Sequence, residues 1–308
     1  MAASAASRIR RERQSVQVRG CKGPFESESS QEKIALAREF SLRFWGVRGS
    51  TPAPGVETLR YGGETTSLEI RAGEQIILID CGSGARNLGR ELVKGDQHQI
   101  DLLFTHTHLD HICGLPFFQP AYDASYAVCC WAGHFKDRCC LRDVVCRIMS
   151  PPVFPVAAET LKGVSFEAYT PGDEWTLGDV KVETIRLNHP GGACGYRLTF
   201  EGRSLAVITD HEHGDPEIDA AVEAFVKDVD VMIYDATYTD EELPDHIGWG
   251  HSTWQEALRL SKQANVRRPV IFHHDPARTD DQLDVIAAQV KAGNRAASVA
   301  VQGETINI

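Results

Sequence analysis

No stretch of this 308-residue chain runs through the roughly eighteen consecutive apolar residues that a membrane-crossing helix needs. There is no Cys-x-x-Cys pair and no secretory signal, although the chain has nine cysteines. Two adjacent pairs, Cys129-Cys130 and Cys139-Cys140, fit reduced thiols better than a thiolate zinc site, whose ligands are more widely spaced. These absences predict a cytoplasmic protein with no membrane partner. A positive balance is missing too. The net charge is −11, so the overall field does not attract long nucleic acid. A small phosphate ester stays admissible, because bound cations dominate the local field of such a site. No short-period repeat is present. The chain is 42% apolar and long enough for a sizeable core.

The first forty residues read differently from the rest. Arg8, Arg10, Arg11, Arg13 and Arg19 crowd the start, and Ser27 to Gln31 is polar. Glu12, Glu26, Glu28 and Glu32 argue against a transit peptide, which is poor in acids. Residues 1–40 are expected to be an extension, disordered or partly helical, with a short helix near Gln31 to Phe40. Residues 41–308 are expected to form the working domain.

From Ser41 onward, apolar segments alternate with glycine-bounded turns. Strands are expected at Ser41 to Val47, Ile100 to Thr105, Tyr126 to Trp131 and Val164 to Tyr169, with a hairpin at Thr66 to Arg71 and Gln75 to Asp80. Further strands are expected at Val180 to Leu187, Ala193 to Phe200, Ser204 to Thr209, Val229 to Tyr234 and Pro269 to Phe272. Helices are expected at Ala85 to Leu92, Lys136 to Met149, Ile218 to Val226, Thr253 to Ala264 and Asp280 to Lys291. Ser298 to Ile306 reads as a last strand or hairpin. Strands in runs with interspersed helices point to an α+β fold, two sheets with helices packed outside.

The chemistry-bearing run is Thr105-His106-Thr107-His108-Leu109-Asp110-His111. On an extended strand end, side chains two apart face the same way, so His106 and His108 can meet one ion. Asp110 and His111 follow where the chain turns and add oxygen and nitrogen donors for a second. One solvated histidine would mean little; this cluster directly after the buried run Asp101 to Phe104 predicts a metal site. Lone polar residues at other strand ends are candidate partners: His189 after Leu187, Asp210 after Thr209, and His273 after Phe272. A carboxylate such as Asp210 can bridge two cations. His211 and His213 read as surface or supporting residues, and His274 would point away from His273.

Asp80 in Ile77-Leu78-Ile79-Asp80-Cys81-Gly82-Ser83-Gly84, the histidine run, His189, Asp210 and His273 together resemble, in order, the five motifs of the metallo-β-lactamase fold superfamily. The resemblance covers residue 41 to the end. It implies an αββα four-layer sandwich of two mixed β-sheets with the metals at one edge. It also implies His106, His108 and His189 on one ion, Asp110, His111 and His273 on another, Asp210 between them, and Asp80 orienting a ligand histidine. Phe44-Trp45-Gly46-Val47-Arg48-Gly49-Ser50, Tyr61-Gly62-Gly63, Asp235-Ala236-Thr237-Tyr238 and Gly250-His251-Ser252-Thr253 look like the phosphodiesterase branch, which includes tRNase Z and phosphoribosyl cyclic phosphodiesterases. Glu64 stands where Asn would be expected after the paired glycines.

The expected activity is metal-dependent hydrolysis of a small or cyclic phosphodiester. Two divalent ions, zinc or manganese, would hold a hydroxide as nucleophile. Asp110, His251 and Asp235 are the candidate catalytic residues. His251 would protonate the leaving oxygen or stabilise its charge, and Asp235 would orient His251. A homodimer is possible on this reading. Competing readings are an RNA-processing nuclease, which calls for a basic arm, a thioester or lactone hydrolase, which has no need of His251, and a metal-holding sensor without turnover.

Overall fold

The computed structural model describes residues 38–135 and 140–308. Most of the expected extension, and the helix expected near Gln31 to Phe40 apart from its end, lie outside these residues. At that end the chain is already extended, and Phe40 opens the first strand.

Two seven-stranded sheets face each other. The first contains β1 (Phe40–Gly46), β2 (Ser67–Ala72), β3 (Gln75–Ile79), β4 (Gln99–Phe104), β5 (Ala127–Ala132) and β6 (Val164–Ala168), side by side in that order. The second contains β7 (Glu174–Leu177), β8 (Val180–Leu187), β9 (Ala193–Phe200), β10 (Arg203–Ile208), β11 (Val231–Asp235), β12 (Arg268–Phe272) and β13 (Ser298–Val299). The chain then returns to the first sheet, where β14 (Thr305–Asn307) pairs antiparallel with β1. Both sheets are mixed. β3 to β6 run parallel, as do β10 to β13.

Strand periodicity explains the layering. In β3, Ile77 and Ile79 join the core between the sheets, while Ile76 and Leu78 face outward. In β12, Val270 and Phe272 point between the sheets and Ile271 points out. Such strands are buried on both faces, hence their unbroken apolar runs. The outer face of the first sheet is covered by α1 (Ala85–Leu92) and α3 (Leu141–Ile148), through Leu88, Leu92, Leu141 and Val145. Between them in sequence lies the single turn α2 (Leu109–Ile112). The second sheet is covered by α4 (Pro216–Phe225), α5 (Trp254–Gln263) and α6 (Asp280–Gly293), through Val222, Leu260, Leu283 and Val290. Each fully buried side chain of this kind contributes about 1.5–3 kcal/mol. The architecture is the expected αββα sandwich. Among the described residues, no helix is long and apolar enough to cross a membrane.

Two expectations need correction, and one strand had no counterpart among them. The helix expected from Lys136 starts at Leu141, with Cys140 as its extended N-cap; positions 136–139 lie outside the described residues. The four-residue edge strand β7 was not anticipated, being short, with only Leu177 fully buried. Ser298 to Ile306 is no hairpin. Its two short strands belong to opposite sheets, and the chain crosses between them where Gly303 donates to the Phe44 carbonyl at 2.7 Å.

Candidate metal centre

The C-terminal ends of the parallel strands in both sheets converge on one edge of the sandwich. Three residues there leave their strands with positive φ: Asp80 at 61°, Asp210 at 58° and His273 at 62°. L-residues adopt this conformation at a cost of about 1–3 kcal/mol, and such strain clusters at functional sites. Here it turns each side chain from the strand line into the same space.

Two main groups of donors result: His106, His108 and His189 in one, and Asp110, His111, Asp210 and His273 in the other, with the donor atoms of each group within 4.8 Å of one another. A third set that meets the same distance, Asp210, Asp235, His251 and His273, overlaps the second. The His106 ring centroid lies 4.4 Å from that of His108 and 4.7 Å from that of His189. His106 Nε2 is buried and has no hydrogen-bond partner among the described residues. In the second group, His111 Nε2 is 3.1 Å from Asp110 Oδ2 and 3.2 Å from Asp210 Oδ2. His273 Nε2 is 3.3 Å from Asp110 Oδ2 and 3.4 Å from Asp210 Oδ2. Asp210 spans both groups, because its other oxygen, Oδ1, is 3.8 Å from His106 Nε2 and 3.9 Å from His189 Nε2.

The far side of several of these donors is held by protein. Asp80 is fully buried, and its Oδ2 accepts from His111 Nδ1 at 2.8 Å and from the Thr105 hydroxyl at 2.8 Å. That leaves His111 Nε2 facing the site. His189 Nδ1 donates to the Gly250 carbonyl at 2.8 Å. Thr237 Oγ1 lies 3.1 Å from His273 Nδ1. The Ser50 amide donates to Asp110 Oδ2 at 2.8 Å. At Gly49 a Cβ would stand 2.3 Å from the His273 ring, so glycine is required there for the imidazole to fit.

The electrostatics suit cations. Burial penalises ionised Asp210, yet His111, His273 and His106 hold its carboxyl well below the usual range. Burial likewise opposes the charge on Asp110, and His111 and His273 outweigh it. Burial keeps His106, His108 and His189 below the ordinary imidazole value, so they offer lone pairs. His111 is the exception. Burial lowers it, but the carboxylates of Asp110, Asp210 and Asp80 raise it well above 6.5. The same negative field favours a divalent cation. An orphaned buried Nε2, convergent imidazoles and ionised carboxylates are a donor set that fits divalent metal ions.

Asp235 and His251 stand beside this set. His251 Nδ1 lies 2.8 Å from Asp235 Oδ2. Asp235 is fully buried and also accepts from the amides of Asp210, Thr237 and Ser252 and from the Thr237 hydroxyl. The His251 ring is 5.0 Å from that of His273 and 5.4 Å from that of His189. Burial lowers the basicity of His251, but Asp235, backed by Asp210 and Asp110, lifts it to about 9.

Other polar residues take structural work. The buried Arg48 guanidinium donates to the carbonyls of Gly62, Asp275 and Arg278. Tyr61 bonds Asp284, and Arg278 bonds Glu242. Glu64 accepts from the Ser83 hydroxyl. His274 lies against the Ala300 carbonyl at 2.9 Å. His211 is buried, not on the surface; it accepts from the Asn188 amide and approaches Asp219. His213 is 2.7 Å from Ser252 Oγ. Cys81, Cys113, Cys129, Cys130, Cys146 and Cys194 carry free thiols, and no cysteine joins a donor group among the described residues.

Two residues near the site escaped sequence reasoning. Buried His134 sits 3.0 Å from Thr107 Oγ1, with its ring edge-on to His106 at 6.4 Å. The strand register accounts for it: Phe104 pairs with Ala132, so the residues two further on, His106 and His134, emerge together. Glu212 is the other. Its carboxylate accepts from the amides of Gly248 and Gly250 at 2.8 Å each.

Residues 75–274 match the beta-lactamase superfamily domain. Ribonuclease Z of Bradyrhizobium sp. (strain ORS 278) is 22% identical over 321 residues, covering 84% of this chain and 97% of the relative. The metallo-beta-lactamase fold protein YhfI from Bacillus subtilis superimposes with a TM-score of 0.68 at 18% identity, covering 88% of this chain and all (100%) of that one. A diphosphatase from the PhnP family superimposes with a TM-score of 0.65 at 17% identity, covering 88% and 97%.

Proposed function

This chain belongs to the beta-lactamase superfamily, and we propose that it is a binuclear metal-dependent hydrolase acting on a small or cyclic phosphodiester. In this reading His106, His108 and His189 hold one divalent ion, Asp110, His111 and His273 hold the other, and Asp210 lies between them. Zinc and manganese both suit the nitrogen and oxygen donors. When bound, such ions supply a nucleophilic water at neutral pH and neutralise charge on phosphoryl oxygens.

The residues of the chain do the rest. Asp80 and the Gly250 carbonyl fix the tautomers and orientations of His111 and His189. Asp235 holds His251 by Nδ1, which leaves Nε2 as its remaining polar atom for the substrate. His251 donates a proton to the departing oxygen or stabilises its charge, and Asp235 keeps the imidazole aimed. The single observation that carries the reading is this Asp235–His251 pair beside a complete donor set. Hydrolysis of a thioester expels a thiolate, which leaves without such an acid.

The test is turnover of bis(p-nitrophenyl) phosphate by protein of measured metal content. His251→Ala is expected to keep its metal and to lose orders of magnitude in kcat on a diester with an alkoxide leaving group, such as a 2′,3′-cyclic nucleotide, and much less on bis(p-nitrophenyl) phosphate, whose nitrophenolate leaves without a proton. Unchanged turnover of a thioester or lactone by that variant, with no phosphodiester hydrolysis by the parent, would overturn the reading. A second reading, RNA processing, is favoured by the name of the curated relative, ribonuclease Z. Cleavage of a precursor transfer RNA at rates well above the small diesters would select it.

A further inference from the structure

His251 is not isolated from the surface. The Tyr238 ring lies edge-on to it, with centroids 6.0 Å apart. His246 stacks on Tyr238 at 4.2 Å, and Trp249 lies edge-on to His246 at 5.0 Å. A row of rings therefore leads from the candidate proton donor to Trp249, which is 61% exposed.

An exposed tryptophan is ordinarily free to move. This one is held. The amides of its neighbours Gly248 and Gly250 both donate to the buried Glu212 carboxylate, and its own amide donates to the His246 carbonyl at 3.1 Å. The Gly250 carbonyl in turn accepts from His189. The Trp249 backbone is thus fixed relative to the donor set, two residues from His251 and so within about 7 Å of it along the chain, and the His246 ring packs against the indole. A rigid aromatic surface loses little entropy when something stacks on it.

We propose that Trp249 is a substrate-binding residue, a platform on which a nucleobase of the phosphodiester stacks, so that the substrate class is a nucleoside phosphodiester of mononucleotide size. The proposal rests on the phosphodiesterase reading above. An exposed flat ring carried two residues from His251, and linked to it through the rings of His246 and Tyr238, suits a base, and stacking needs no particular base. Ile247, also exposed, adds apolar surface beside it. Glu241 and Asp245 on the same loop, with the net charge of −11, oppose a long polyanion and leave room for one nucleotide unit.

Two esters with the same leaving group test it: thymidine 5′-(p-nitrophenyl phosphate), which carries a base, and methyl p-nitrophenyl phosphate, which does not. Trp249→Ala is expected to raise KM about tenfold for the thymidine ester only, while Trp249→Phe retains most of the affinity. Thymidine 5′-monophosphate should also quench tryptophan fluorescence of the metal-loaded parent protein and not of Trp249→Ala. Equal changes for both esters, no change for either, or quenching that survives in Trp249→Ala overturns the platform. So does a loss of self-association in Trp249→Ala with unaltered kinetics, which would place Trp249 between two copies of the chain. If the metal-loaded parent protein hydrolyses neither ester, the phosphodiesterase reading fails instead, and the quenching titration still decides for Trp249.

Discussion

Gly250 grips His189 from two directions. Its carbonyl accepts from His189 Nδ1 at 2.8 Å, and a Cβ on its α-carbon would lie 2.2 Å from that same nitrogen. Its φ of 88° is in the left-handed region as well. Gly250→Ala must therefore displace the imidazole or the loop. The expected result is a folded protein that retains less metal after desalting, read by metal analysis beside circular dichroism.

Asp80 touches no substrate in the proposed scheme, yet it sets His111. Asp80→Asn keeps the shape and replaces an ionic acceptor by an amide. Metal affinity is expected to fall about 10- to 100-fold, the range for partners that orient ligand histidines. Competition with a chromogenic chelator measures it. Unchanged affinity would mean that His111 is oriented by packing alone.

Arg48 and Arg60 make opposite predictions. Arg48 is wholly buried, and its side chain satisfies three backbone carbonyls. Arg48→Met takes away the donor to the Gly62 and Arg278 carbonyls, while the Asp275 carbonyl keeps the Arg278 amide, and is expected to cost about 2–6 kcal/mol in urea unfolding. Arg60 pairs with Asp281 and Asp284 at the surface. Such exposed pairs contribute about 0–1 kcal/mol, so Arg60→Ala should unfold close to the parent protein.

Acid sensitivity has a named contributor in His134. Burial, with help from His108 and His111, pushes its imidazole down to about 4, against 6.5 for a free one. Between those values the unfolded chain takes up a proton that the folded chain refuses. Folding stability contributed by neutral His134 is thus present above pH 6.5 and is lost as pH falls toward 4. His134→Gln cannot titrate and should lose less stability over this window, by about 3 kcal/mol at most. Urea midpoints of both proteins at several pH values read the difference.

The sequence made the site legible where donors are contiguous or end an apolar run. The run from His106 to His111 carries its own pattern, and His189, Asp210 and His273 each close a strand whose apolar alternation is plain. The structure brings all of them together. What stayed hidden is set by pairing and backbone. His134 joins the neighbourhood only through the register of β4 on β5. Glu212 binds amides, and an amide leaves no mark in a sequence. The last two strands look like one hairpin because nothing local tells a chain which sheet it rejoins; the antiparallel place beside β1 decides that.

The donor set is divided between the halves of the molecule. His106, His108, Asp110 and His111 follow β4, while His189, Asp210 and His273 follow β8, β10 and β12 of the opposite sheet. A growing polypeptide thus displays the first four long before the last, His273, leaves the ribosome. A cation captured by both halves would act as a rivet through the sandwich, since any ligand selective for the native state stabilises all of it. Metal supply would then govern not only turnover but how long newly made protein survives in a cell.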